Sequence, residues 1–245
     1  MVGLKIVAII QARTSSSRLP NKVMRTLVDR TVLGHVIMRC KAIPSVNEVV
    51  VATSDLQEDD IISLEAEKYE VSCYRGSLTD VLDRYYQAAK ASKADVVVRI
   101  TSDCPLLDPE ISEKVIKDFL IGDYDYVSSG LSGTFPRGLD TEVFTVAALQ
   151  RAYKEAALEY EHEHVTPYLY QRPELFKIKA YHNEIDQSQY RLTLDTIEDW
   201  ELIHRIYQHL YQNQIFNLNA ILQLFEKHSE LPLLNADVVQ KKLGE

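Results

Sequence analysis

The sequence predicts an α/β fold in which a mainly parallel sheet is flanked by helices. Three short runs, at residues 5–11, 48–53 and 95–100, are almost continuously apolar and rich in β-branched side chains. Such runs are typical of strands that are buried on both faces of a parallel sheet. Helical spacing over ten or more residues separates these strands, which indicates βαβ units with helices on both sides of the sheet.

In the first half of the chain, the elements alternate between strand and helix. A further short strand is predicted at 71–74, and Pro109 stands where a helix can begin. The predicted helices of this half are 32–41, 57–69, 78–91 and 109–120.

The pattern loosens in the second half. Residues 128–138 are rich in Gly, Ser and Pro and are predicted to form a loop. Helices are predicted at 146–158, 162–171, 198–212, 217–227 and 236–243, and strands at 176–181 and 189–194. We expect residues 1–245 to form one domain, with an inserted or flanking segment near 130–190.

Composition excludes several classes of protein. The net charge of −9 argues against general nucleic-acid binding, which needs a broad basic face. No apolar run approaches the roughly 18 residues of a membrane span, and the N-terminus lacks the shape of a signal peptide. The cysteines Cys40, Cys73 and Cys104 are widely spaced and contain no CxxC, which favours a reducing, cytoplasmic location.

The first buried strand leads into a cationic loop, IIQARTSSSRLPNKVM at 9–24. Arg13, Arg18 and Lys22 are close enough in sequence to converge on one phosphate chain, and the small residues between them let backbone N–H groups approach an anion. Ligands bind beyond the carboxyl ends of parallel strands, so this loop is a candidate site. The alternative is a solvated polar loop. Neither the P-loop pattern nor GxGxxG occurs.

Two aspartates that follow later strands are candidate metal ligands. Asp103 comes directly after the strand at 95–100, whereas Asp108, just before Pro109, fits a helix N-cap. Asp195 also ends a predicted strand before a helix. Taken alone, Asp195 fits a helix N-cap as well as it fits a metal ligand, because Glu198 three residues later completes a capping-box pattern.

Taken in order, QARxxSxRLPxK, the Asp-x-Pro at 103–105 and the distal LDTxED resemble the cytidylyltransferases that activate acidic sugars. These include the CMP-KDO synthetases and the acylneuraminate cytidylyltransferases. The phrases LTDVLDRY at 78–85, FPRGLDTE at 135–142 and EHVTPY at 163–168 are similar to the branch named for the spore coat polysaccharide biosynthesis protein SpsF. The resemblance covers nearly the whole chain.

The resemblance implies a nucleotide-diphospho-sugar transferase (GT-A-like) fold, CTP as substrate, a homodimer and a role in surface polysaccharide or glycoconjugate synthesis. It implies Mg²⁺ on Asp103 and Asp195, with Lys22, Arg18 and Asp103 as the catalytic groups. The nucleotide-binding residues that it implies are Gln11, Ala12, Arg13, Ser16, Arg18, Lys22, Asp83, Arg84 and Thr101, of which Asp83 and Arg84 would lie near the nucleotide or the acceptor.

These motifs differ from those of the sugar-acid synthetases at two places. Asn21 precedes the loop lysine where those enzymes usually have Gly, and Ser102–Pro105 (SDCP) replaces a stretch like Gly-Asp-Glu-Pro. The acceptor is therefore less closely defined than the fold.

Three residues are candidates for binding an acidic small-molecule acceptor: Arg137 and Asp140 in the FPRGLD loop, and His164. His164 ends the sequence EHEH at 161–164, which is not the HExxH pattern of zinc enzymes, so a polar helix start or pocket edge is favoured over a metal site.

Three function classes remain open from the sequence. The first is a cytidylyltransferase. The second is a glycosyltransferase of the same general fold, but such enzymes usually present Asp-x-Asp and position 105 is Pro. The third is a non-catalytic nucleotide-binding protein, against which the presence of both Asp103 and Asp195 argues.

Overall fold

The computed structural model describes residues 3–16 and 18–240 of the 245-residue chain. Its strands are β1 (Ile6–Gln11), β2 (Thr26–Leu27), β3 (Arg30–Thr31), β4 (Glu48–Ser54), β5 (Ser72–Gly76), β6 (Val96–Thr101), β7 (Tyr126–Ser128), β8 (Glu142–Thr145) and β9 (Ile178–Ala180). Within these residues, seven strands form one sheet in the order β5-β4-β1-β6-β8-β7-β9, and β2 and β3 pair separately as a hairpin. The pairs β4–β5, β1–β4, β1–β6 and β7–β9 are parallel, which confirms the mainly parallel sheet.

Helices cover both faces of this sheet. They are α1 (Val32–Lys41), α2 (Asp60–Lys68), α3 (Val81–Ala91), α4 (Pro109–Ile121), α5 (Val146–Glu155), α6 (Glu159–His164), α7 (Pro167–Tyr170), α8 (Ile197–Leu210) and α9 (Leu218–Lys227). Side chains of α1, α2 and α4 form one core layer with the sheet, and those of α3, α5 and α7 form the layer on the other face. The helices α8 and α9 pack in a third apolar cluster beside the β2–β3 hairpin.

The strand order creates a crevice at β1. The chain passes from β1 to β4 and β5 on one side, and then returns to place β6 on the other side of β1. Within the sheet, the chain therefore continues from β1 toward β4 on one side and from β6 toward β7 and β8 on the other. Open parallel sheets bind ligands at such a switch point, so the loops at 12–22 and 102–108 are the expected location of a binding site.

The predicted strands of the first half and the predicted helices 32–41, 109–120 and 217–227 are confirmed to within a few residues. Residues 57–59 form a 3₁₀ turn before α2, and the helix predicted at 78–91 begins only at Val81, because Asp80 is its N-cap. Asp108 caps α4 as predicted, since its carboxylate accepts hydrogen bonds from the N–H groups of Glu110 and Ile111. The helix predicted at 198–212 is α8, which extends from Ile197 to Leu210.

Several predictions for the second half were wrong. The helix predicted at 162–171 is interrupted at Val165, which has φ 71°, and so divides into α6 and α7. Helix α5 ends at Glu155, three residues before the predicted end. Residues 189–194 make only an isolated bridge between Arg191 and Arg137. Residues 236–240 form turns and coil, and the rest of the helix predicted at 236–243 lies outside the described residues.

Strands β7 and β8 and the β2–β3 hairpin were not predicted. Each is two to four residues long, too short to show an alternating pattern. Their pairing depends on partners elsewhere in the sheet, such as the antiparallel register of β8 against β6.

Candidate active site

The adjacent strands β1 and β6 end side by side at the crevice. Gln11 and Thr101 face each other in the parallel register, and the N–H of Ser102 donates to the carbonyl of Gln11 at 3.1 Å. Ala12 is buried and its N–H donates to the carbonyl of Ala52 at 3.1 Å. The loop after β1 therefore starts from a fixed backbone.

The buried carboxylate of Asp59 anchors that loop. It accepts hydrogen bonds from the N–H of Thr14 at 2.8 Å and from the Thr14 hydroxyl at 2.7 Å, and a further bond from Ser54. Burial by itself would raise the pKa of Asp59, but the hydrogen bonds from Ser54 and Thr14 outweigh it and lower the pKa. Asp59 is thus an anion that holds the start of the loop in place.

The loop is closed by Asn21. Its N–H donates to the carbonyl of Thr14 at 3.2 Å, and its backbone is left-handed, with φ 55°. Only Gly, Asn and Asp adopt this conformation readily. The turn aims the following residue, Lys22, into the crevice.

The ammonium of Lys22 lies between the two predicted metal ligands. Its Nζ donates to Asp103 Oδ2 at 2.7 Å, to Asp195 Oδ1 at 2.8 Å and to the carbonyl of Leu194 at 2.8 Å. All three N–H bonds of the ammonium are therefore used. The structure brings together three residues that are separated by up to 173 positions in the sequence.

This contact sets the charge state of the pair. Burial alone would raise the pKa of Asp103, but the nearby Lys22 ammonium outweighs it and lowers the pKa to about 2. Burial alone would lower the pKa of Lys22, yet Asp103 and Asp195 together raise it. The Asp103 carboxylate and the Lys22 ammonium are therefore ionised at neutral pH.

Asp195 does not cap α8. The capping box consists of Thr196 and Asp199, one residue beyond the predicted pair of Asp195 and Glu198. Asp195 is left to make side-chain contacts in the crevice, where Arg18 Nη2 approaches its Oδ1 at 3.3 Å and Arg191 Nη2 donates to its Oδ2 at 2.8 Å.

Two carboxylates on either side of one cation are a donor set that fits Mg²⁺. Among residues 3–16 and 18–240, no group of three or more His, Cys, Asp or Glu side chains is arranged to hold a metal. Mg²⁺ commonly takes only one or two carboxylates and completes its octahedron with water and phosphate oxygens. Asp103 and Asp195 could hold such an ion, with Lys22 marking the cation's position.

A second group of polar side chains lies on the α3 face of the crevice. Arg84 is 2% exposed, and its Nε and Nη1 have no hydrogen-bond partner among the described residues. The Oε1 atom of Gln11 also lacks a partner within that part of the chain. Burial, with a smaller contribution from Arg13, lowers the pKa of Arg84. Asp83 is half-buried and accepts from Gln87 at 3.0 Å.

The three acceptor candidates have different electrostatic surroundings. Burial raises the pKa of Asp140, which also senses Arg137, Glu142 and Arg99. Burial lowers the pKa of His164, which also senses Arg99 and Arg13. Arg137 is exposed, but its backbone is fixed, because its carbonyl accepts from the N–H of Leu192 at 2.7 Å.

The structure therefore separates the predicted cations of the loop. Arg18 and Lys22 converge on Asp195, whereas Arg13 lies nearer to Arg84 and His164. Ser16 is half-buried in the loop, and Ser17 lies outside the described residues. The hydroxyl of Thr101 contacts the thiol of Cys104 at 3.2 Å, beside Asp103.

Three further residues of this region were not among the predicted site residues. Asp59 anchors the loop, Arg191 contacts Asp195, and Arg99 pairs with Glu142 at the base of the acceptor side. Arg99 could have been noticed as a cation within an apolar strand. The partners of Asp59 and Arg191 become visible only in the fold.

A helix long and apolar enough to cross a membrane is not found in the described part of the chain.

Comparison with known proteins agrees with this architecture. The chain is 38% identical over 244 residues to the uncharacterized protein MJ1063 of Methanocaldococcus jannaschii, covering 99% of each chain. It is 32% identical over 234 residues to the spore coat polysaccharide biosynthesis protein SpsF of Bacillus subtilis, covering 92% of this chain and 95% of that protein.

Solved structures give the same result. A cytidylyltransferase from Leptospira borgpetersenii superposes with a TM-score of 0.90 at 34% identity, over 98% of this chain and 100% of the other. CMP:2-keto-3-deoxy-manno-octonic acid synthetase shares the fold, with a TM-score of 0.66 at 16% identity, over 83% and 98% of the two chains. A family model described as cytidylyltransferase matches residues 7–227. The chain belongs to the cytidylyltransferase family.

Proposed function

We propose that this protein transfers CMP from CTP to a sugar acid or a related acceptor and releases pyrophosphate. The observation that supports the proposal most is the Lys22 ammonium between Asp103 and Asp195 at the switch point of the sheet. In the reaction, an acceptor hydroxyl oxygen forms a bond to the α-phosphorus and its proton passes to solvent water. The bond between that phosphorus and the oxygen leading to the β-phosphorus breaks.

Most of the catalytic effect would come from positioning and charge neutralisation. Arg18 and Lys22 would bind the phosphate chain, and the backbone of the loop anchored by Asp59 would follow it. Gln11, Ala12, Arg13, Ser16, Asp83, Arg84 and Thr101 would complete the nucleotide site. The unpartnered donors of Arg84 and the unpartnered oxygen of Gln11 support a polar ligand on this face.

Asp103 and Asp195 would hold Mg²⁺. The ion would supply charge neutralisation at the phosphate oxygens. Lys22 would have to leave at least part of its present contacts, and its ammonium would then be free to donate to a phosphate. A lysine suits this exchange, since it carries a compact charge on a flexible stem.

Arg137, Asp140 and His164 would bind the acceptor. The positive charge of the exposed Arg137 supports an anionic acceptor, for which a sugar acid is the simplest case. The likeness to SpsF supports a place in the synthesis of a surface polysaccharide or glycoconjugate.

A homodimer formed through the segment near 130–190 belongs to the same proposal. Leu131, Leu158 and Ile185 are 41%, 47% and 67% exposed in that segment, which supports a covered surface in the assembled protein. Sedimentation equilibrium that gives a monomer mass at micromolar concentration would contradict this part.

The test is pyrophosphate release from CTP, UTP, GTP and ATP with Mg²⁺ and a panel of sugar acids. We expect release with CTP and one class of acceptor, and a loss of at least about 100-fold in Asp103→Asn and Lys22→Ala. Lys5→Ala is the matched control, because Lys5 makes one partly exposed ion pair with Glu48 at 2.7 Å, outside the crevice.

Near wild-type turnover in either site variant would contradict the assigned roles. Transfer from a nucleotide-sugar would favour a glycosyltransferase, and binding of CTP without release under any condition would favour a non-catalytic protein.

A further inference from the structure

The two oxygens of the Asp195 carboxylate have different surroundings. Oδ1 accepts from Lys22 Nζ at 2.8 Å, and the same ammonium donates to Asp103, whereas Oδ2 accepts from Arg191 Nη2 at 2.8 Å. Arg18 Nη2 also approaches Oδ1 at 3.3 Å, so Lys22 and Arg18 share one oxygen of the carboxylate and Arg191 holds the other. One oxygen faces the crevice and the other faces the protein.

Arg191 is held firmly in its position. Its Nε donates to Asp199 Oδ1 at 2.8 Å, its Nη2 to Asp199 Oδ2 at 3.0 Å and its Nη1 to Gln240 at 2.6 Å. Its carbonyl accepts from Asn235 at 3.0 Å, and its backbone bridges to Arg137. The side chain is only 10% exposed, so it has little room to move.

Asp199 makes this arrangement difficult to undo. Its carboxylate is fully buried and also accepts from the N–H groups of Asp195 and Thr196, at 2.9 and 3.1 Å. If Arg191 left, Asp199 would remain as a buried anion without its cation, which is strongly unfavourable. Lys22 is held differently, because the carboxylates that it would leave, Asp103 and Asp195, are the ones that an incoming metal ion would neutralise. A ligand can therefore replace Lys22 at Oδ1 far more easily than Arg191 at Oδ2.

We propose that Arg191 is a positioning residue that keeps Asp195 a one-oxygen ligand and thereby makes the site select Mg²⁺-sized cations over Ca²⁺. The inference rests on the proposed function in one respect, the assignment of Asp195 as a metal ligand.

The chemical reason lies in how the two ions use carboxylates. Mg²⁺ requires a nearly ideal octahedron of single oxygens at about 2.0–2.1 Å, and one oxygen from Asp195 suffices. Ca²⁺ takes about 6–8 oxygens and often binds both oxygens of one carboxylate. Because Arg191 occupies Oδ2, that mode is closed. Releasing Oδ2 would favour Ca²⁺ more than Mg²⁺.

The experiment measures ion binding without turnover. Mn²⁺ binding to the purified protein with a non-hydrolysable CTP analogue is followed by electron paramagnetic resonance, and Mg²⁺ and Ca²⁺ are titrated as competitors. The readout is the ratio of Ca²⁺ to Mg²⁺ affinity. We expect Arg191→Met to raise this ratio about tenfold, in the range typical of residues that orient metal ligands.

Two further variants complete the design. Arg205→Met is the matched control, because Arg205 makes one exposed ion pair with Glu201 on α8, and the ratio should not change. The double variant R191M/D199N removes the buried charge that Met would leave unpaired, so it should fold even if the single variant does not. It should show the same rise.

An unchanged ratio in a folded variant would overturn the proposal. So would the absence of site-specific Mn²⁺ binding in the wild-type protein, since Asp195 would then not be a metal ligand. Pyrophosphate release, measured separately, shows whether the proposed reaction survives that result.

Discussion

Asp59→Asn should destabilise the protein and weaken CTP binding, although Asp59 is placed in neither the metal site nor the acceptor site. The carboxylate is fully buried and accepts three hydrogen bonds, two from Thr14 and one from Ser54. Asn has nearly the same shape but no charge. Its oxygen can still accept from Thr14, and its amide can face the Ser54 hydroxyl.

The magnitude follows from the loss of charge in these bonds. A hydrogen bond to a charged group contributes about 1.5–3 kcal/mol, against about 0.5–1.5 kcal/mol between neutral groups. Three bonds, each weakened by about 1 kcal/mol, give a loss of roughly 3 kcal/mol in the free energy of unfolding. The loop between Thr14 and Asn21 should lose order at the same time, which lowers the affinity for CTP.

The pH dependence has a definite sign. The pKa of Asp59 is lower in the folded protein than its ordinary value of 3.8, because hydrogen bonds outweigh burial. Its contribution is therefore fully present above pH 3.8 and is lost as the pH falls through the folded-state pKa. The stability gap between wild type and variant should be full at neutral pH and should narrow below pH 3.8.

Urea denaturation at several pH values and calorimetric titration with CTP provide the assay. The control is Asp60→Asn, because the neighbouring Asp60 is 51% exposed and pairs with Arg75, so its loss should cost less than about 1 kcal/mol. Equal losses in the two variants would refute the anchoring role of Asp59.

Two more expectations concern the acceptor side and the α3–α6 contact. Gly138→Ala should cost more than about 2 kcal/mol and raise the KM for the acceptor, because Gly138 has φ 101° and a Cβ would lie 2.6 Å from the backbone of Leu192. Gly133→Ala, also left-handed but with open space around it, should cost only about 1 kcal/mol, and equal effects would contradict the reasoning. His162→Gln should reduce stability by less than about 1 kcal/mol at acid pH only. Burial opposes protonation of His162, but Asp80 at 3.1 Å outweighs burial and raises the His162 pKa. The stabilisation by this ion pair is therefore fully present below pH 6.5 and is lost as the pH rises through the folded-state pKa. Thermal unfolding measured at several pH values would show this dependence.

The fold could be predicted from sequence where the burial of an element produces a recognisable pattern of apolar residues along that element. The strands β1, β4 and β6 are buried on both faces, so their β-branched runs are visible in the sequence. Strands β7 and β8 are only three and four residues long. They form because they pair with neighbouring strands, and this pairing cannot be predicted from the local sequence. The sequence of segment 189–194 alternates between apolar and polar residues as a strand would, yet the segment is irregular. The N–H of Leu192 donates to the carbonyl of Arg137, and the N–H of Leu194 donates to the carbonyl of Asp103.

The site could be predicted in part for the same reason. Lys22, Asp103 and Asp195 follow strand-like runs and stand in ordered motifs, so sequence placed all three near the crevice. The roles of Asp59 and Arg191 depend on side chains that pack from other elements. Arg191 could also be mistaken for a strand residue that faces solvent.

Asn21 explains one difference between this chain and the sugar-acid synthetases. Its φ of 55° requires a residue that tolerates left-handed backbone, and its side chain makes no capping hydrogen bond. Gly and Asn are thus exchangeable here on conformational grounds. Among relatives, a change between Gly and Asn at this position should therefore preserve the turn before the lysine and should have no effect on which acceptor is used.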